Sequence, residues 1–251
     1  MRIGGRPRGT CAAVAACCGV IVAVVAAQQP APPHRVYLEA APTARGFATA
    51  LENLSIARRA ALGIEVVTGP TSPNAPRDQT SLPHAPGGAR YDLTPLAIGP
   101  ALAKLSDVKV ASLVSAYGWQ RDGDVYDVAP VRFADKAGVA LNRRVAAFDL
   151  TVKSVPEALQ DVHRIFDPKF VLRALAHPGH EPERLRPLIE RPMEIRRSGA
   201  TVRDILNEIV RQHGAMSWMV EYADAGGSYR GMRLSFLGFD GWVVSTLAKV
   251  H

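Results

Sequence analysis

Apolar and polar positions along this chain form short stretches, each long enough for a single helix or strand. A period of two residues marks strands, whereas apolar positions three and four apart mark amphipathic helices. These patterns predict strands over 35–40, 64–67, 117–121 and 125–128 and helices over 47–62 and 96–108. Gly63 is expected to end the first helix, and Asp122-Gly123 is a typical signal for a tight hairpin turn. Helices and strands mixed in this way predict an α+β fold.

Two segments repeat one pattern. Residues 154–162 (SVPEALQDV) align with 201–209 (TVRDILNEI), and in each a hydroxyl residue is followed three positions later by an acid. This arrangement caps the free backbone N–H groups at a helix start. An alternating strand precedes each helix, and two further strands follow the second, over 145–152, 193–197, 216–222 and 232–237. The repeat, 145–166 and 193–222, predicts short capped helices packed on small sheets, with equivalent apolar faces buried.

The second copy of this pattern resembles the short N-terminal domain of secretins and TonB-dependent receptors. The likeness rests on the strand–helix–strand order of 193–222, with a helix opened by Thr201-Val202-Arg203-Asp204-Ile205-Leu206 and closed by Arg211-Gln212-His213-Gly214. Residues 154–166 are a second, weaker match, and the whole similar region spans 145–237. The resemblance implies a periplasmic module that docks other proteins.

The first 27 residues have the three parts of a secretory signal peptide. Arg2, Arg6 and Arg8 form a basic start, residues 10–27 are apolar and uncharged, and small residues precede the expected cleavage site after Ala27. Cleavage there predicts a periplasmic or secreted protein. Two alternatives stay open. The 18-residue apolar run is long enough to anchor an uncleaved chain in the inner membrane, and the tetrad VAAC that ends at Cys17 resembles a lipoprotein box.

Proline and glycine divide the rest of the chain. Residues 28–34 (QQPAPPH) form a Pro-rich tether. Residues 69–90 contain five prolines and the pair Gly87-Gly88, which indicates a long loop or a domain boundary. We therefore expect an N-terminal strand–helix–strand segment over 28–68, a linker over 69–90 and an α+β domain over 91–251.

Composition and charge exclude several classes of protein. With 251 residues, 47% hydrophobic and 21% charged, the chain is neither collagen-like, disordered nor a polytopic membrane protein. The formal net charge of +7 includes the leader arginines, and the densest charged stretch, 181–197, interleaves acids with arginines. Nucleic-acid binding proteins gather basic charge on one face, so no nucleic-acid partner is predicted. Contact with a membrane is expected only through a retained leader.

Few residues carry signals of catalysis or metal binding. All three cysteines lie in the leader, so the mature chain has no thiolate nucleophile, disulfide or Cys-ligated metal. It has no nucleophile elbow, Walker loop or dinucleotide fingerprint. His177 and His180 are separated by Pro-Gly and indicate a loop, and Asp122, Asp124 and Asp127 fit the hairpin better than a calcium loop. We predict no catalytic residue, metal or cofactor; an enzyme would have to assemble its site from distant residues.

Aromatic residues supply the candidate binding site. Trp119, beside the predicted hairpin, and Trp242, after a glycine turn, are the two candidates, although core filling is the simpler interpretation of Trp242. Trp218 alternates with Met219 in its strand and is expected in the core. His213, at the end of the second repeat helix, is expected to interact with the negative helix C-terminus rather than with a metal.

These observations support one leading hypothesis. The chain is an exported, non-catalytic α+β protein that binds another envelope protein, through an unpaired strand edge. The alternative is a cell-envelope hydrolase or carbohydrate-binding protein that uses Trp119 or Trp242 with nearby acids.

Overall fold

The computed structural model describes residues 35–39, 44–68, 90–106, 117–131, 140–168, 183–224 and 229–248. The strands are β1 (Tyr37–Glu39), β2 (Leu62–Thr68), β3 (Arg90–Asp92), β4 (Tyr117–Asp122), β5 (Val125–Pro130), β6 (Arg144–Val152), β7 (Met193–Thr201), β8 (Met216–Asp224), β9 (Tyr229–Gly238) and β10 (Val243–Ala248). The helices are α1 (Ala44–Arg58), α2 (Ile98–Ser106), α3 (Val155–Arg164), α4 (Arg186–Ile189) and α5 (Val202–His213). The α+β class is confirmed. The predicted leader and tether, nearly all of the linker, and His177 and His180 lie outside the described residues.

A mixed sheet of six strands organises the fold, in the order β10-β9-β8-β2-β5-β4. β2 runs parallel to both of its neighbours, β5 and β8, and the other pairs are antiparallel. The segment 28–68 thus supplies a central strand to a sheet whose other strands come from 91–251. Two separate two-stranded sheets, β1–β3 and β6–β7, complete the described strands.

Two hydrophobic cores lie on the two faces of the six-stranded sheet. Side chains alternate between faces along a strand, so Trp218 and Val220 of β8 enter one core whereas Met219 enters the other. The first core packs α3, α5 and the β6–β7 ribbon against the sheet, and the second packs α1 and α2. None of the helices in the described ranges is long and apolar enough to cross a membrane.

The repeated capped helices are confirmed as α3 and α5. The Ser154 hydroxyl accepts from the Glu157 N–H, and Thr201 and Asp204 form a complete capping box. Gly214, at φ 73°, then ends α5 in the left-handed conformation that glycine adopts without strain. The equivalent apolar positions of both helices are buried as expected: Val155, Leu159 and Val162 in α3, and Val202, Leu206 and Ile209 in α5.

The predicted end of the first helix at Gly63 is wrong. α1 ends at Arg58, and Gly63 lies inside β2, in register with Asp127 of β5 and Trp218 of β8. A Cβ at this position would come within 3.0 Å of both neighbouring side chains. The glycine therefore serves close packing across the sheet rather than helix termination.

The strands that precede the two repeat helices pair with each other. β6 and β7 form an antiparallel ribbon from Arg144↔Thr201 to Val152↔Met193. β7 thus extends beyond the predicted 193–197 and runs directly into α5. The end of the ribbon near Val152 and Met193 is buried in the first core, whereas the end near Arg144 and Gly199 projects past it.

Candidate functional site

An open groove runs along the outer edge of β6. β6 pairs with β7 on one side, and no other strand in the described ranges pairs with it. The groove has a volume of about 480 Å³ and is lined by seven consecutive residues, 143–149, together with Asp161, Arg164 and Ile165 at the end of α3. An unpaired strand edge inside a groove is the geometry that accepts an added strand from another chain.

Backbone geometry indicates which groups of β6 face this groove. The carbonyl oxygen of Arg143 accepts from the Val202 N–H at 3.1 Å, so Arg143 faces β7. Backbone groups alternate in direction along a strand. The N–H and C=O groups of Arg144, Ala146 and Phe148 are therefore directed to the outer edge, where they can bond an added strand.

Charged side chains stand at both ends of the groove. The Arg143 guanidinium donates to the Ile165 carbonyl at 3.0 Å, and Arg144 donates to the Gly199 carbonyl at 2.9 Å. At the other end, Asp149 lies 3.8 Å from Arg196 Nε in a solvent-exposed pair, and such pairs contribute little. The groove therefore has a cation, Arg143, immediately before β6 and a carboxylate, Asp149, within the strand. Each can exchange its present contact for one with another molecule.

A buried polar network lies on the same side of the six-stranded sheet, beneath α5. Arg203, Asn207 and Arg211 are four residues apart, so they share one helix face. We call them the α5 polar stripe. They face acids from three places in the sequence, Glu65, Asp127 and the hairpin residues Asp122 and Asp124. The stripe fixes how α5 sits on the sheet.

Arg203 holds the buried carboxylate of Glu65. Arg203 Nε donates to Glu65 Oε1 at 3.1 Å, with a second bond from Nη2, and the Tyr222 hydroxyl donates to Oε2 at 3.0 Å. Arg203 Nη1 also donates to Asn142 Oδ1 at 2.8 Å. A charge buried at the centre of a sheet is tolerated only with such partners, because desolvation would otherwise cost several kcal/mol.

Asn207 joins the Asp127 and Asp122 carboxylates to Trp218. Its amide nitrogen donates to Asp127 Oδ2 and to Asp122 Oδ2, each at 3.0 Å, and its amide oxygen accepts from Trp218 Nε1 at 2.7 Å. The indole can only donate, which fixes the orientation of the amide. Arg211 closes the network by donating to Asp122 Oδ2 at 2.8 Å.

Asp127 is the most perturbed acid in this network. Burial raises its pKa from 3.8 to about 7, against the opposing effects of the Asn207 hydrogen bond and the Arg203 charge. Its Oδ1 atom has no hydrogen-bond partner among the described residues. Glu65 and Asp127 are only 1% and 4% exposed, so both carboxyl groups are closed to solvent. The network joins distant residues, as an assembled active site would, but its geometry is that of a structural contact.

Replacing Asp127 by Asn is expected to change how stability depends on pH. A folded-state pKa above the unfolded value means that the folded protein binds the proton more tightly. The contribution of Asp127 is therefore fully present below about pH 4 and is lost as the pH rises to about 7. Urea unfolding from pH 4 to 8 should show Asp127→Asn gaining stability relative to wild type over this interval and a constant difference above it.

Asp127→Asn must be compared with wild type, because a buried histidine changes the free energy of unfolding with pH in the opposite direction. Burial lowers the pKa of His163 to about 4, so its contribution to stability is lost as the pH falls from 6.5 towards 4. The His163 contribution is the same in both proteins, so subtracting the wild-type free energy of unfolding from that of Asp127→Asn removes it. A difference that is flat across the whole interval would show that Asp127 titrates as an ordinary carboxyl.

The two helix-end histidines are core residues. His213 Nε2 lies 2.8 Å from the Leu188 carbonyl, which accepts its proton, and burial lowers the pKa of the ring. We expected a charge interaction between His213 and the helix C-terminus. The structure instead buries the ring, and burial favours its neutral form. His163 Nδ1 lies 3.1 Å from the Thr246 hydroxyl. Within the described ranges, no three His, Cys, Asp or Glu side chains form a group that could hold a metal ion.

The structure separates the two candidate tryptophans. Trp119 lies on the edge strand β4 and is 37% exposed, with its ring 6.0 Å from that of Tyr126. Trp242 is not an exposed anchor, because its side chain is fully buried beside His213, over a space that Gly238 leaves free. Trp218 fills the core as predicted. Trp119 alone remains a candidate surface residue.

Sequence reasoning missed both the groove and the α5 polar stripe. The stripe has a sequence signal, since polar residues recur every fourth position between the apolar residues of 202–210. Glu65, alone among apolar residues in a predicted strand, is a second signal for a buried charge. The groove has no equivalent signal, because it depends on how β6 lies against the end of α3.

Comparison of the chain with models of known protein families, with curated proteins and with solved structures finds no match.

Proposed function

We propose that this protein is an exported, non-catalytic interaction module of the cell envelope, and that its binding surface is the outer edge of β6. The observation that carries the proposal is the groove along seven consecutive residues of that edge. Outward N–H and C=O groups supply affinity for an extended partner strand, and the charges at the two ends supply register.

The exposed end of the ribbon supports this use. Ala146 and Ala147 are exposed beyond the core, whereas Phe148 is already buried. Small side chains at the edge allow close approach of another backbone. Many proteins block such an edge with lysine or proline, and neither residue occurs within 144–149.

Export is the second part of the proposal and rests on the sequence. The basic, apolar and small-residue parts of 1–27 fit a signal peptide. The absence of cysteine beyond this leader suits a fold stabilised by core packing. The resemblance of 145–237 to a docking domain of secretins and TonB-dependent receptors is a further reason to propose a periplasmic docking role.

Ala146→Pro is expected to abolish binding at this edge without unfolding the protein. Proline removes the outward N–H of residue 146, and edge strands tolerate proline where that N–H points to solvent. A photo-crosslinking residue placed at Ala147 of the full chain should give specific protein adducts in the cell envelope. Adding Ala146→Pro should remove those adducts, as judged by gel electrophoresis and mass spectrometry, while circular dichroism stays unchanged.

Trp119→Ala provides the matched control and tests the alternative function. It removes the exposed aromatic ring of a different edge strand, β4, and should leave the adducts intact. Exposure of Trp119 beside Tyr126 is the observation that favours a carbohydrate-binding surface. Loss of binding to cell-wall glycans in folded Trp119→Ala, with adducts insensitive to Ala146→Pro, would replace the proposed function by this one.

A further inference from the structure

We infer that the strand added to β6 is β6 of a second copy of this chain. The two edges would pair antiparallel about a two-fold axis at Ala146 and join two ribbons into one four-stranded sheet. This inference rests on the proposed function of the β6 edge and names its partner. It follows from the order of charges along the edge.

Two-fold pairing at Ala146 matches opposite charges at both ends of the contact. Seven of the residues that line the groove are consecutive, 143–149, and Ala146 is the middle one. Antiparallel pairing about it places Arg143 opposite the partner's Asp149, and the symmetry repeats that pair at the other end. Directly opposed residues have Cβ atoms about 5 Å apart, within reach of an ion pair.

The inner positions of this register are also compatible. Val145 lies opposite the partner's Ala147, and Ala146 meets its own copy at the axis, so small side chains occupy the centre. In this register the outward backbone groups of Arg144 face those of the partner's Phe148, and the outward groups of Ala146 face those of the partner's Ala146. Hydrogen-bonded pairs therefore form on both sides of the axis.

Neighbouring registers lose this match. An axis at Ala147 sets Asp149 opposite the partner's Val145 and leaves Arg143 opposite Thr151. An axis at Val145 sets Arg143 opposite Ala147 and places Asp149 opposite the buried Leu141. The register at Ala146 alone pairs the cation with the carboxylate, and opposed charges of this kind fix register in sheets.

Mixed charges in the groove favour a second copy over a strongly acidic or basic peptide. Arg164 is paired with Asp161 at 2.8 Å on the groove wall, so the wall carries both signs. A self-complementary surface requires both signs, because every group meets the same surface in its partner.

Charge exchange tests the inference. Sedimentation velocity of the full chain, isolated from the cell envelope, should show a reversible dimer. Arg143→Asp or Asp149→Arg should each weaken dimerisation by about tenfold or more, because each creates two like-charge pairs. An equimolar mixture of the two variants should form a heterodimer, and the double variant should dimerise again. Arg184→Asp, a change at an exposed residue that does not line the groove, should have no effect.

The outcomes separate this inference from the proposed function. A monomeric wild-type chain, or dimerisation unaffected by either charge variant, would overturn the inference. If the Ala147 crosslinks then join β6 to a different protein and are still lost in Ala146→Pro, the proposed function stands. Crosslinks insensitive to Ala146→Pro would overturn both. Recovery of association in the mixture is not expected from a general loss of folding in either variant.

Discussion

Gly63→Ala is expected to destabilise the protein by about 3 kcal/mol, the upper range for adding one carbon to a packed core. The new Cβ would come within 3.0 Å of Asp127 Oδ1 and of the Trp218 ring. Neither neighbour can move freely, because Asn207 bonds both of them. Relief requires a shift of the central strands or a break in the hydrogen bonds of the network.

Urea unfolding followed by tryptophan fluorescence would measure this loss of stability. Gly99→Ala is the matched control, because a Cβ at Gly99 meets no side chain beyond its chain neighbours within 4 Å and the residue lies in α2. That change should alter stability by less than about 1 kcal/mol, because Gly99 lies in the first turn of α2 and precedes Pro100, so it does not gain the full helix preference of an interior alanine. Equal effects of the two substitutions would contradict the close packing assigned to Gly63.

Arg203→Met is expected to cost about 3–5 kcal/mol, the loss that follows when one partner of a buried ion pair is removed. Methionine keeps much of the side-chain volume, but among the residues that the structure describes it leaves the Glu65 carboxylate bonded only to the Tyr222 hydroxyl. Arg203 and Glu65 are 13% and 1% exposed in their side chains, so water does not replace the lost guanidinium easily.

Two companion variants make this result specific. Arg233→Met removes an ion pair with Glu221 in which the Arg233 side chain is 54% exposed. This change should alter stability by less than about 1 kcal/mol. Glu65→Gln combined with Arg203→Met removes the buried charge and should recover part of the loss. A double variant as unstable as the sum of the two single variants would show that the two side chains do not act as a pair.

The fold could be predicted from the sequence as far as local signals reached. Hydroxyl–acid spacing located both repeat helices, and alternation located most strands, because capping and burial act within a few residues. Pairing between β6 and β7 and the central place of β2 were not predictable in this way. Those contacts depend on tertiary packing, which no local pattern specifies. Gly63 shows the difference, since a local helix-stop signal was in fact a packing requirement.

The candidate site could likewise be predicted only where a local sequence signal was enough. Trp119 was identified from its position beside a hairpin, and the structure leaves it on the surface. Trp242 had the same kind of signal but is buried, because Gly238 provides a space that only tertiary structure defines. The sequence predicted that an unpaired strand edge would bind a partner but not which strand would supply it, and the β6 edge is proposed for that role.

The central position of β2 has a consequence for when the protein can fold. β2 pairs with β8, and the Leu62 N–H bonds to the Ser217 hydroxyl 155 residues later in the chain. Closing so long a loop is entropically costly, and it cannot happen before β8 has been synthesised. The sheet therefore stays incomplete while the ribosome makes most of the polypeptide. Such delay suits a chain that would have to cross a membrane unfolded and acquire its structure on the other side.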